Sequence, residues 1–482
     1  MVKATVYDYG DTAAPSFPTT FTVIRKDVLQ CTSLDGNHNK YYVLELHVAA
    51  DSAARVFTEY GRTDEIGKKP GKRECRHPGD RVAVEALYER LLREKTIRKK
   101  DPYRRVDLVA TRVGTSAASA GVVDPATLAR ARPAAAAPAP APAPTPLLEP
   151  RLRDLVVRLY QEATGKLTTT VQVTITAKGL ETPLGVLTLA QVKRGEDLLK
   201  SIAELLERGA SSRHDDLVQA SSEFYSAVPH KLGARHQRQA VAAAVIDTLE
   251  KVAEKQQTLE LMRDMLGVDS SVGGAGLLAS DDLTAKYAAL QCKVEPLEPG
   301  TALFEQIVQR VLTSQARRRG IKRVVNVARL HRSVEATYAH AAVMTTVGNI
   351  LHGYHASKAA RFVGILSRGL LPPKIAVASG ISRTDGGWLG AGIYFGAAAD
   401  TAANYSSPNA ARTRWMVLAN VAMGYVFETT RRDFHLQTPP AGYNSCLGLR
   451  RRHDRPSEFD DSEMVIYHPA QARLAYLIEF EV

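Results

Sequence analysis

The spacing of apolar residues predicts strands and one helix in the first hundred residues. Runs rich in β-branched and aromatic residues at 21–24, 41–48 and 55–61 are typical of β-strands. Apolar positions between residues 82 and 92 recur instead at helical spacing. This part of the chain is therefore expected to form a mainly β module that carries a helix.

The middle of the chain changes to a helical period. Apolar residues at 148–159 recur every three or four positions, and Gly165 is a candidate end for that helix. The segment Thr188-Leu-Ala-Gln191 has the pattern of a capping box, which predicts a helix from there to about Arg208. A further apolar face extends from 241 to 266 and predicts a long third helix. These patterns together predict an all-α bundle.

Strands return in the last part of the chain. Apolar runs with turn residues nearby occur at 349–353, 415–422 and 464–467. Every second residue from Leu474 to Val482 is apolar, which is typical of a half-buried terminal strand. The three parts together predict a multidomain α+β protein.

Length and composition fit three folded domains and one linker. A chain of 482 residues suggests about three domains. Residues 115–146 are rich in alanine and proline, and repeated prolines favour an extended spacer. We therefore expect domains at 1–114, 147–280 and 281–482. No apolar stretch reaches the roughly 18 residues of a membrane span, so no membrane partner is expected.

Positive charge is concentrated in residues 60–105. The whole chain carries a formal net charge of +12, and this short stretch holds fifteen basic and eight acidic residues. Clustered cations suit a polyanion such as nucleic acid, because each neutralised phosphate releases counterions. The same charges also fit a solvated face without a specific partner, so charge alone leaves both interpretations open.

Familiar cofactor motifs are missing from the sequence. No phosphate-binding P-loop, zinc-protease motif or nucleophile elbow occurs, and the glycines at 274–279 do not follow a predicted strand. The cysteines form no Cys-x-x-Cys pair, so neither a zinc ribbon nor a disulfide scaffold is indicated. We expect no metal and a reducing compartment. The four cysteines are Cys31, Cys75, Cys292 and Cys446.

Three segments of the last domain carry candidate chemistry. Taken singly, each fits an ordinary structural role. Taken together and in this order, they resemble the catalytic domain of the poly(ADP-ribose) polymerases, with its His-Tyr-Glu triad. The resemblance implies an α+β ADP-ribosyltransferase fold with antiparallel sheets, and NAD+ as the substrate. The segments are Leu351-His352-Gly353, Gly392-Ile-Tyr394-Phe with the later Asn404-Tyr405, and Glu463-Met-Val-Ile-Tyr467.

The resemblance implies roles for five residues of a single cleft. His352, Tyr394 and Glu463 would form the catalytic triad, with His352 binding a ribose hydroxyl on the adenosine side. The backbone of Gly353 would hold the nicotinamide carboxamide, and Tyr405 would stack on the pyridine ring opposite Tyr394. Glu463 would bind the 2′-hydroxyl of the nicotinamide ribose, stabilise developing positive charge and polarise an acceptor hydroxyl during chain elongation.

The resemblance extends to the other domains. Residues 181–188, 195–199, 224–230 and 261–266 are similar to the helical regulatory domain of the family. Residues 39–46, followed by Tyr60-Gly61-Arg62, are similar to its WGR domain, a β-rich module that senses DNA. The DNA-binding residues that this implies are Tyr60, Arg62, Lys99 and Lys100.

Three positions depart from the family pattern. Ala402 stands where the family usually has a serine whose hydroxyl meets the carboxamide, so a hydrogen bond worth about 0.5–1.5 kcal/mol is missing or comes from elsewhere. Thr401 replaces the preceding lysine. Tyr60 replaces the tryptophan of the WGR motif, which leaves a smaller aromatic platform.

The resemblance implies an enzyme that DNA strand breaks switch on. It would transfer and polymerise ADP-ribose from NAD+ onto protein acceptors, including itself, once DNA loosens the helical bundle that obstructs the cleft. A mono(ADP-ribosyl)transferase of the same fold, or a DNA-end-binding scaffold with weak activity, remain alternatives. We expect the nucleus as the location in a eukaryote, and the cytoplasm or nucleoid in a bacterium.

Overall fold

A computed structural model describes most of the chain outside the alanine- and proline-rich segment. The whole of the predicted linker at 115–146 and the predicted DNA contacts Lys99 and Lys100 lie outside the described residues. No helix among the residues that are described is long and apolar enough to cross a membrane. The described residues are 4–36, 38–66, 68–69, 71–98, 101–106, 114, 148–207, 214–230, 243–271, 276–316, 320–373 and 387–482.

The elements follow the order that the periodicity predicts, strands first, then mainly helices, then strands again. Up to residue 106 they are β1 (Val6–Asp8), β2 (Phe21–Ser33), β3 (His38–Ala49), β4 (Ala54–Arg62), β5 (Lys72–Arg76), α1 (Arg81–Thr96) and β6 (Arg104–Arg105). The middle contains α2 (Pro150–Thr170), β7 (Thr174–Thr176), β8 (Gly179–Thr182), β9 (Gly185–Val186), α3 (Leu189–Glu207), α4 (His214–Ala227) and α5 (Leu249–Ser271).

The last part of the chain alternates strands with short helices. Its elements are α6 (Leu283–Ala289), β10 (Cys292–Pro296), α7 (Ala302–Thr313), β11 (Arg323–Arg332), α8 (Tyr338–Val347), β12 (Ile350–Ala356), α9 (Phe362–Arg368), β13 (Ile393–Gly396), α10 (Ala399–Ala403), β14 (Arg414–Ala422), β15 (Val426–Thr429), β16 (Ser445–Gly448), β17 (Glu463–Ile466) and β18 (Ala472–Glu481). The predicted multidomain α+β architecture is confirmed.

The described chain divides into two compact units. The first comprises residues 1–145 and 169–247, and the second comprises 146–168 and 248–482. Helices α2 and α5 therefore belong to the same unit as the last domain, whereas α3 and α4 belong to the unit of the first domain. The domain boundaries expected at 114, 147 and 281 stay predictions.

A six-stranded antiparallel sheet forms the centre of the first unit. Its strand order is β1-β5-β4-β3-β2-β6, and helix α1 packs on it through Val84 and Tyr88. Asp80 caps α1 by accepting a hydrogen bond from the backbone of Ala83. The predicted strands and the predicted helix of this module are confirmed.

Helix α4 covers an open stretch of the edge of β2. The short strand β6 pairs with Leu29 and Gln30, and no other strand of the described residues pairs with β2 on that side. Ser226 Oγ accepts the N–H of Thr32 at 2.9 Å, and Ser222 Oγ accepts the N–H of Leu34 at 3.1 Å. Two serines one helical turn apart thus satisfy alternate backbone groups of the strand.

Three local expectations for the middle of the chain need correction. The block is not purely helical, because β7, β8 and β9 form a small antiparallel sheet. Helix α2 continues past Gly165 to Thr170, since burial of Leu167 outweighs the roughly 1 kcal/mol that glycine costs a helix. Helix α5 begins at Leu249 rather than 241, because the hydroxyl of Thr248 accepts the N–H of Lys251 and caps it there.

A nine-stranded sheet forms the centre of the second unit. Its order is β10-β11-β18-β14-β12-β13-β17-β16-β15, and only the β15–β16 pair is parallel among these described strands. Helix α7 packs Phe304, Ile307 and Val311 onto β11, β12, β14 and β18. This packing fixes which side of β12 faces the core. Strands β12, β13 and β17 lie next to one another and carry the candidate site.

Helix α2 is attached to this sheet by an ion pair between a half-buried arginine and a buried glutamate. Arg158 donates to both carboxylate oxygens of Glu479 on β18, with 3.0 Å between Nη2 and Oε2. Thr413 and Asn326 donate to the same carboxylate. Although burial opposes ionisation of Glu479, these donors and the charge of Arg158 lower its pKa. The carboxylate is therefore charged and fully bonded inside the sheet.

We predict that the two serines of α4 stabilise the first unit through the edge of β2. Replacing Ser222 and Ser226 with alanine leaves the backbone N–H groups of Thr32 and Leu34 unpaired, at about 1–3 kcal/mol each. The Ser222→Ala/Ser226→Ala protein should unfold at a lower temperature and exchange those two amide protons faster. Hydrogen exchange read by NMR or mass spectrometry measures this effect.

Ser201→Ala is the matched control for that experiment. Ser201 is exposed on α3, and its hydroxyl donates to the helical carbonyl of Asp197. This variant should retain the protection of both amides. Unchanged exchange in the double variant would show that α4 does not hold the edge of β2.

Candidate active site

The carboxylate of Glu463 is buried at the start of a central strand. Glu463 is the first residue of β17 and lies opposite Gly396 of β13 and Gly448 of β16. Its exposed fraction is only 6%. Because both neighbours in the sheet are glycines, no side chain beside it on either strand fills the space around the carboxylate.

The hydrogen bonding of Glu463 is incomplete. The hydroxyl of Tyr405 donates to Oε1 at 3.4 Å, and Oε2 is buried without a partner among the described residues. Burial raises the pKa of Glu463 to about 7, and Asp461 acts in the same direction. The Tyr405 hydroxyl and the charge of Arg432 oppose that rise. Near neutral pH the carboxyl group can therefore hold or release a proton, and one of its oxygens can accept a ligand hydroxyl.

Tyr394 is held rigidly next to this carboxylate. Its hydroxyl donates to the carbonyl of Gly390 at 2.7 Å and accepts the N–H of Leu389 at 2.9 Å. On β13 it lies two residues from Gly396, which pairs with Glu463. A ring fixed at its hydroxyl end can form a wall for a planar ligand.

The histidine of this site is His355, not the predicted His352. His355 Nδ1 lies 2.9 Å from the carbonyl oxygen of Tyr394, and its ring meets Phe395 edge-on at 6.0 Å between centroids. Because a carbonyl can only accept, Nδ1 carries the proton, and in a neutral ring Nε2 is an acceptor. His355 lines the cleft with Tyr394 and Glu463.

The structure places His352 on the other side of β12. Residues three apart on a strand face opposite sides, and Tyr354 and Ala356, on the side of His352, pack into the core under α7. His352 itself is exposed and pairs across the sheet with Asn420. Partial burial and the charge of Arg310 lower its pKa, while a hydrogen bond with Asn420 opposes this. It does not line the cleft.

Gly353 also does not line the cleft, which corrects its predicted role. A Cβ at this position would come within 2.8 Å of Phe395 Cβ and 3.1 Å of Met464 Cε, so the glycine is needed for packing. The residue that follows the cleft histidine is Ala356, and it does line the cleft. The alternation of β12, read from the apolar Tyr354 and Ala356, is the signal that could have separated the two histidines.

Helix α10 and the turn after it complete this part of the cleft. Ala402 is buried and lines the cleft without a hydroxyl, as the sequence indicates. Thr401 lines it too, and its buried Oγ1 has no hydrogen-bond partner within the described parts of the chain. Tyr405 reaches Glu463 through its hydroxyl. The position of Tyr405 is thus compatible with the expected stacking of its ring on a ligand ring.

Helix α5 lines the same cleft from the regulatory segment. Gln257, Glu260 and Asp264 of this helix are lining residues together with His355 and Glu463. A ligand that extends from Glu463 along the cleft therefore shares it with α5. The basic residues that face α5 follow β12 in the sequence and are Lys358, Arg361 and Arg368.

Two of the predicted DNA-binding residues, Tyr60 and Arg62, lie at the end of β4. The ring of Tyr60 stacks on Tyr42 at 5.6 Å between centroids, and its hydroxyl donates to Glu74 at 2.8 Å. Arg62 Nε lies 3.2 Å from Asp64 Oδ1. Both side chains therefore have intramolecular contacts, and their binding to DNA stays a prediction, as does that of Lys99 and Lys100. No group of three or more potential metal ligands occurs among the described residues. The expected absence of a metal stays a prediction.

Three segments of the chain match known protein families. Residues 301–482 match the poly(ADP-ribose) polymerase catalytic domain, and residues 147–287 match the poly(ADP-ribose) polymerase regulatory domain. Residues 26–105 match the WGR domain. The three matches occur in the order that the sequence motifs predict.

Curated relatives of two kinds are similar to the chain. It is 30% identical over 335 residues to mouse protein mono-ADP-ribosyltransferase PARP4, covering 69% of this chain and 16% of that protein. It is 23% identical over 489 residues to human poly [ADP-ribose] polymerase 2, covering 94% of this chain and 79% of that protein. Against Arabidopsis thaliana poly [ADP-ribose] polymerase 2 it is 28% identical over 286 residues, covering 57% and 42%. The chain thus spans less than a fifth of the PARP4 relative and less than half of the plant relative.

We predict that Glu463 lowers the stability of the folded protein at neutral and alkaline pH. Its folded pKa of about 7 exceeds the ordinary 4.5, so the unfolded chain releases the proton first. Stability therefore falls as pH rises from about 4.5 to 7, by up to about 3 kcal/mol. Glu463→Gln, which does not titrate, should have the higher melting temperature at pH 8 and lose that advantage near pH 4.5.

Glu481→Gln is the control for this measurement. Glu481 lies at the end of β18, and its hydrogen bond with Arg323 lowers its pKa. At pH 8, Glu481→Gln should therefore have a melting temperature that is lower than that of the unchanged protein or equal to it. Calorimetric melting of the three proteins from pH 4.5 to 8.5 measures the difference. A pH-independent difference for Glu463→Gln would contradict the raised pKa of this carboxyl group.

Proposed function

The chain belongs to the poly(ADP-ribose) polymerase family of NAD+ ADP-ribosyltransferases, and we propose that it polymerises ADP-ribose from NAD+ onto protein acceptors in response to broken DNA. The main support for transferase chemistry is that Glu463, His355 and Tyr394 line the same cleft. These residues come from three neighbouring strands and supply the His-Tyr-Glu set of the family. The acceptors include the chain itself.

The chemistry of the proposed reaction matches the incomplete bonding of Glu463. Breaking the bond between nicotinamide and ribose leaves the electron pair on nicotinamide and positive charge on the ribose. Ionised Glu463 stabilises this charge, and its unpartnered Oε2 accepts the ribose 2′-hydroxyl. An acceptor oxygen then bonds to the ribose carbon, and Glu463 takes up the proton of an acceptor hydroxyl.

The other cleft residues hold the substrate for this step. The backbone of Ala356 takes the place expected of Gly353 and holds the carboxamide, while Tyr405 and Tyr394 enclose the pyridine ring. His355 accepts a hydrogen bond from a ribose hydroxyl of the adenosine half through Nε2. With Ala402 in the wall, the carboxamide has one hydroxyl contact fewer unless the buried Thr401 supplies it.

Chain elongation requires a group that activates a hydroxyl of the previous ADP-ribose unit. A carboxylate with a pKa of about 7 suits that task, which supports polymer formation. The similarity to a relative named mono-ADP-ribosyltransferase favours single transfer as the second candidate. The length of the product distinguishes the two.

The proposed response to DNA depends on helix α5. Because α5 lines the cleft with Glu260 and Asp264, it restricts the space for a dinucleotide. DNA can relieve this restriction only if it binds more tightly to a state in which α5 has moved. The WGR match and the basic stretch at 60–105 support DNA as the activating ligand.

We predict DNA-dependent polymer formation that requires Glu463. Incubation with labelled NAD+ should give long product chains on the protein when nicked DNA is present, and far less without it. Glu463→Gln keeps the shape of the side chain and removes its charge, so it should lose polymer and retain slow NAD+ cleavage or single transfer. Denaturing gels and nicotinamide release measure these products.

Glu428→Gln is the matched control, because Glu428 is exposed on β15 and does not line the cleft. It should resemble the unchanged protein. Single ADP-ribose units at every NAD+ concentration would establish the second candidate function instead. Equal NAD+ consumption with and without nicked DNA would contradict the DNA response. If NAD+ is consumed under neither condition, a DNA-binding scaffold is the function that is left.

We also predict that nicked DNA loosens α5. Backbone amides at 249–271 should exchange faster in the DNA complex, because local opening of the helix is then favoured. Helix α7, whose apolar face is buried under the sheet, is the internal control and should keep its protection. Hydrogen exchange followed by mass spectrometry measures both helices. Unchanged exchange in α5 together with full activation would exclude this mechanism.

A further inference from the structure

Three polar contacts join helix α5 to the residues that follow β12. Lys358 Nζ donates to Gln257 at 2.9 Å. Arg361 pairs with Glu260, and Arg368 pairs with Asp264. Gln257, Glu260 and Asp264 are three and four residues apart, so they share one face of the helix. That face lines the cleft, as do its three basic partners.

The two carboxylates of α5 are inserted among these cations rather than lying on the surface. Glu260 is 17% exposed and Asp264 only 4% exposed. A Cβ on Gly364 of α9 would fall 1.9 Å from Asp264 Oδ2, so this carboxylate rests directly on the backbone of α9. Burial raises the pKa of Asp264 to about 6, although Arg368 and Arg361 oppose the rise. Helix α5 thus places negative charge where the fold alone disfavours it.

Arg361 and Arg368 stand where they could serve the substrate. Arg361 follows the cleft histidine His355 by six residues, so their Cα atoms are at most about 20 Å apart. A dinucleotide bound at His355 and Glu463 carries two negative charges on its diphosphate. Guanidinium groups bind such oxygens with paired, charge-assisted hydrogen bonds.

We propose that Arg361 and Arg368 form the site for the diphosphate of NAD+, and that Glu260 and Asp264 occupy this site as substitute anions while α5 lines the cleft. The inference rests on the proposed function, which supplies the dinucleotide. It adds to steric obstruction a direct competition between two carboxylates and one diphosphate for the same two guanidinium groups.

Variants of the two carboxylates and variants of the two arginines test this competition, because they would behave alike if the ion pairs only fastened α5. If the ion pairs only fasten α5, then removing either partner loosens the helix and raises activity without DNA. If the arginines also bind the diphosphate, then removing a carboxylate improves NAD+ binding, whereas removing an arginine weakens it. The sign of the change in KM therefore distinguishes the two cases.

The test uses the full chain with Glu260→Gln, Asp264→Asn, Arg361→Gln and Arg368→Gln. Without DNA, the two acid variants should consume NAD+ faster and with a lower KM. The two arginine variants should show a KM at least about tenfold higher than the unchanged protein in the presence of nicked DNA, since each loses a charge-assisted hydrogen bond. Arg361→Lys should recover part of the loss, because it keeps the charge.

Arg323→Gln and Glu481→Gln are the control pair. They break an ion pair between β11 and β18 that lies outside the cleft, so they should alter neither KM nor the need for DNA. Melting temperatures of all variants show whether any fails to fold.

A binding measurement makes the result independent of catalysis. Calorimetric titration uses ADP, which carries the diphosphate and cannot be cleaved by the enzyme, and adenosine, which has no diphosphate. ADP should bind more tightly to Glu260→Gln and more weakly to Arg361→Gln, while adenosine should bind all proteins equally. If NAD+ is never consumed, the proposed function fails but the ADP titration still tests the site. Equal ADP affinity in all variants, or a KM that falls in the arginine variants, would overturn the inference.

Discussion

A buried carboxylate that lacks a full set of partners is the constraint on which the candidate site depends. Glu463 begins a strand that pairs on both sides, so it cannot turn to the surface without breaking the sheet. Burial disfavours its charge, and a ligand that develops positive charge restores the balance. In the proposed reaction, the ribose of NAD+ becomes such a ligand when nicotinamide departs. Burying this carboxylate therefore lowers the stability of the folded protein, and it provides the poorly solvated anion that the proposed chemistry needs.

Sequence motifs located this carboxylate and its tyrosines but selected the wrong histidine. Glu463 is the only acidic residue at the start of its apolar strand, whereas β12 contains two histidines three positions apart. Only the side of the strand that α7 covers decides between His352 and His355. The alternation of Tyr354 and Ala356 indicates that side, but the motif Leu351-His352-Gly353, on which the prediction rested, ends before those residues. The position of Gly353 failed for the same reason.

Helix ends show the same limit on a smaller scale. The capping box at Thr188 is confirmed, because the amide of Thr188 donates to the side chain of Gln191 and the amide of Gln191 donates to the hydroxyl of Thr188. Gly165 did not end its helix, since the residues beyond it are buried against neighbours that the local sequence does not reveal. The predicted strands of the first and last domains and their order followed from periodicity alone, whereas β7, β8 and β9 were missed. Lengths and facing sides depended on tertiary contacts.

The ion pair between Arg158 and Glu479 has a practical consequence for dissecting the molecule. The two partners come from different family matches, one from the regulatory segment and one from the last strand of the catalytic segment. A truncated fragment that starts after α5 would keep the buried Glu479 and lose its guanidinium. Removing one partner of a buried pair typically destabilises a protein by about 3–5 kcal/mol. A catalytic fragment for crystallisation or inhibitor screening is therefore better designed with α2 retained, or with Glu479 replaced by a neutral residue.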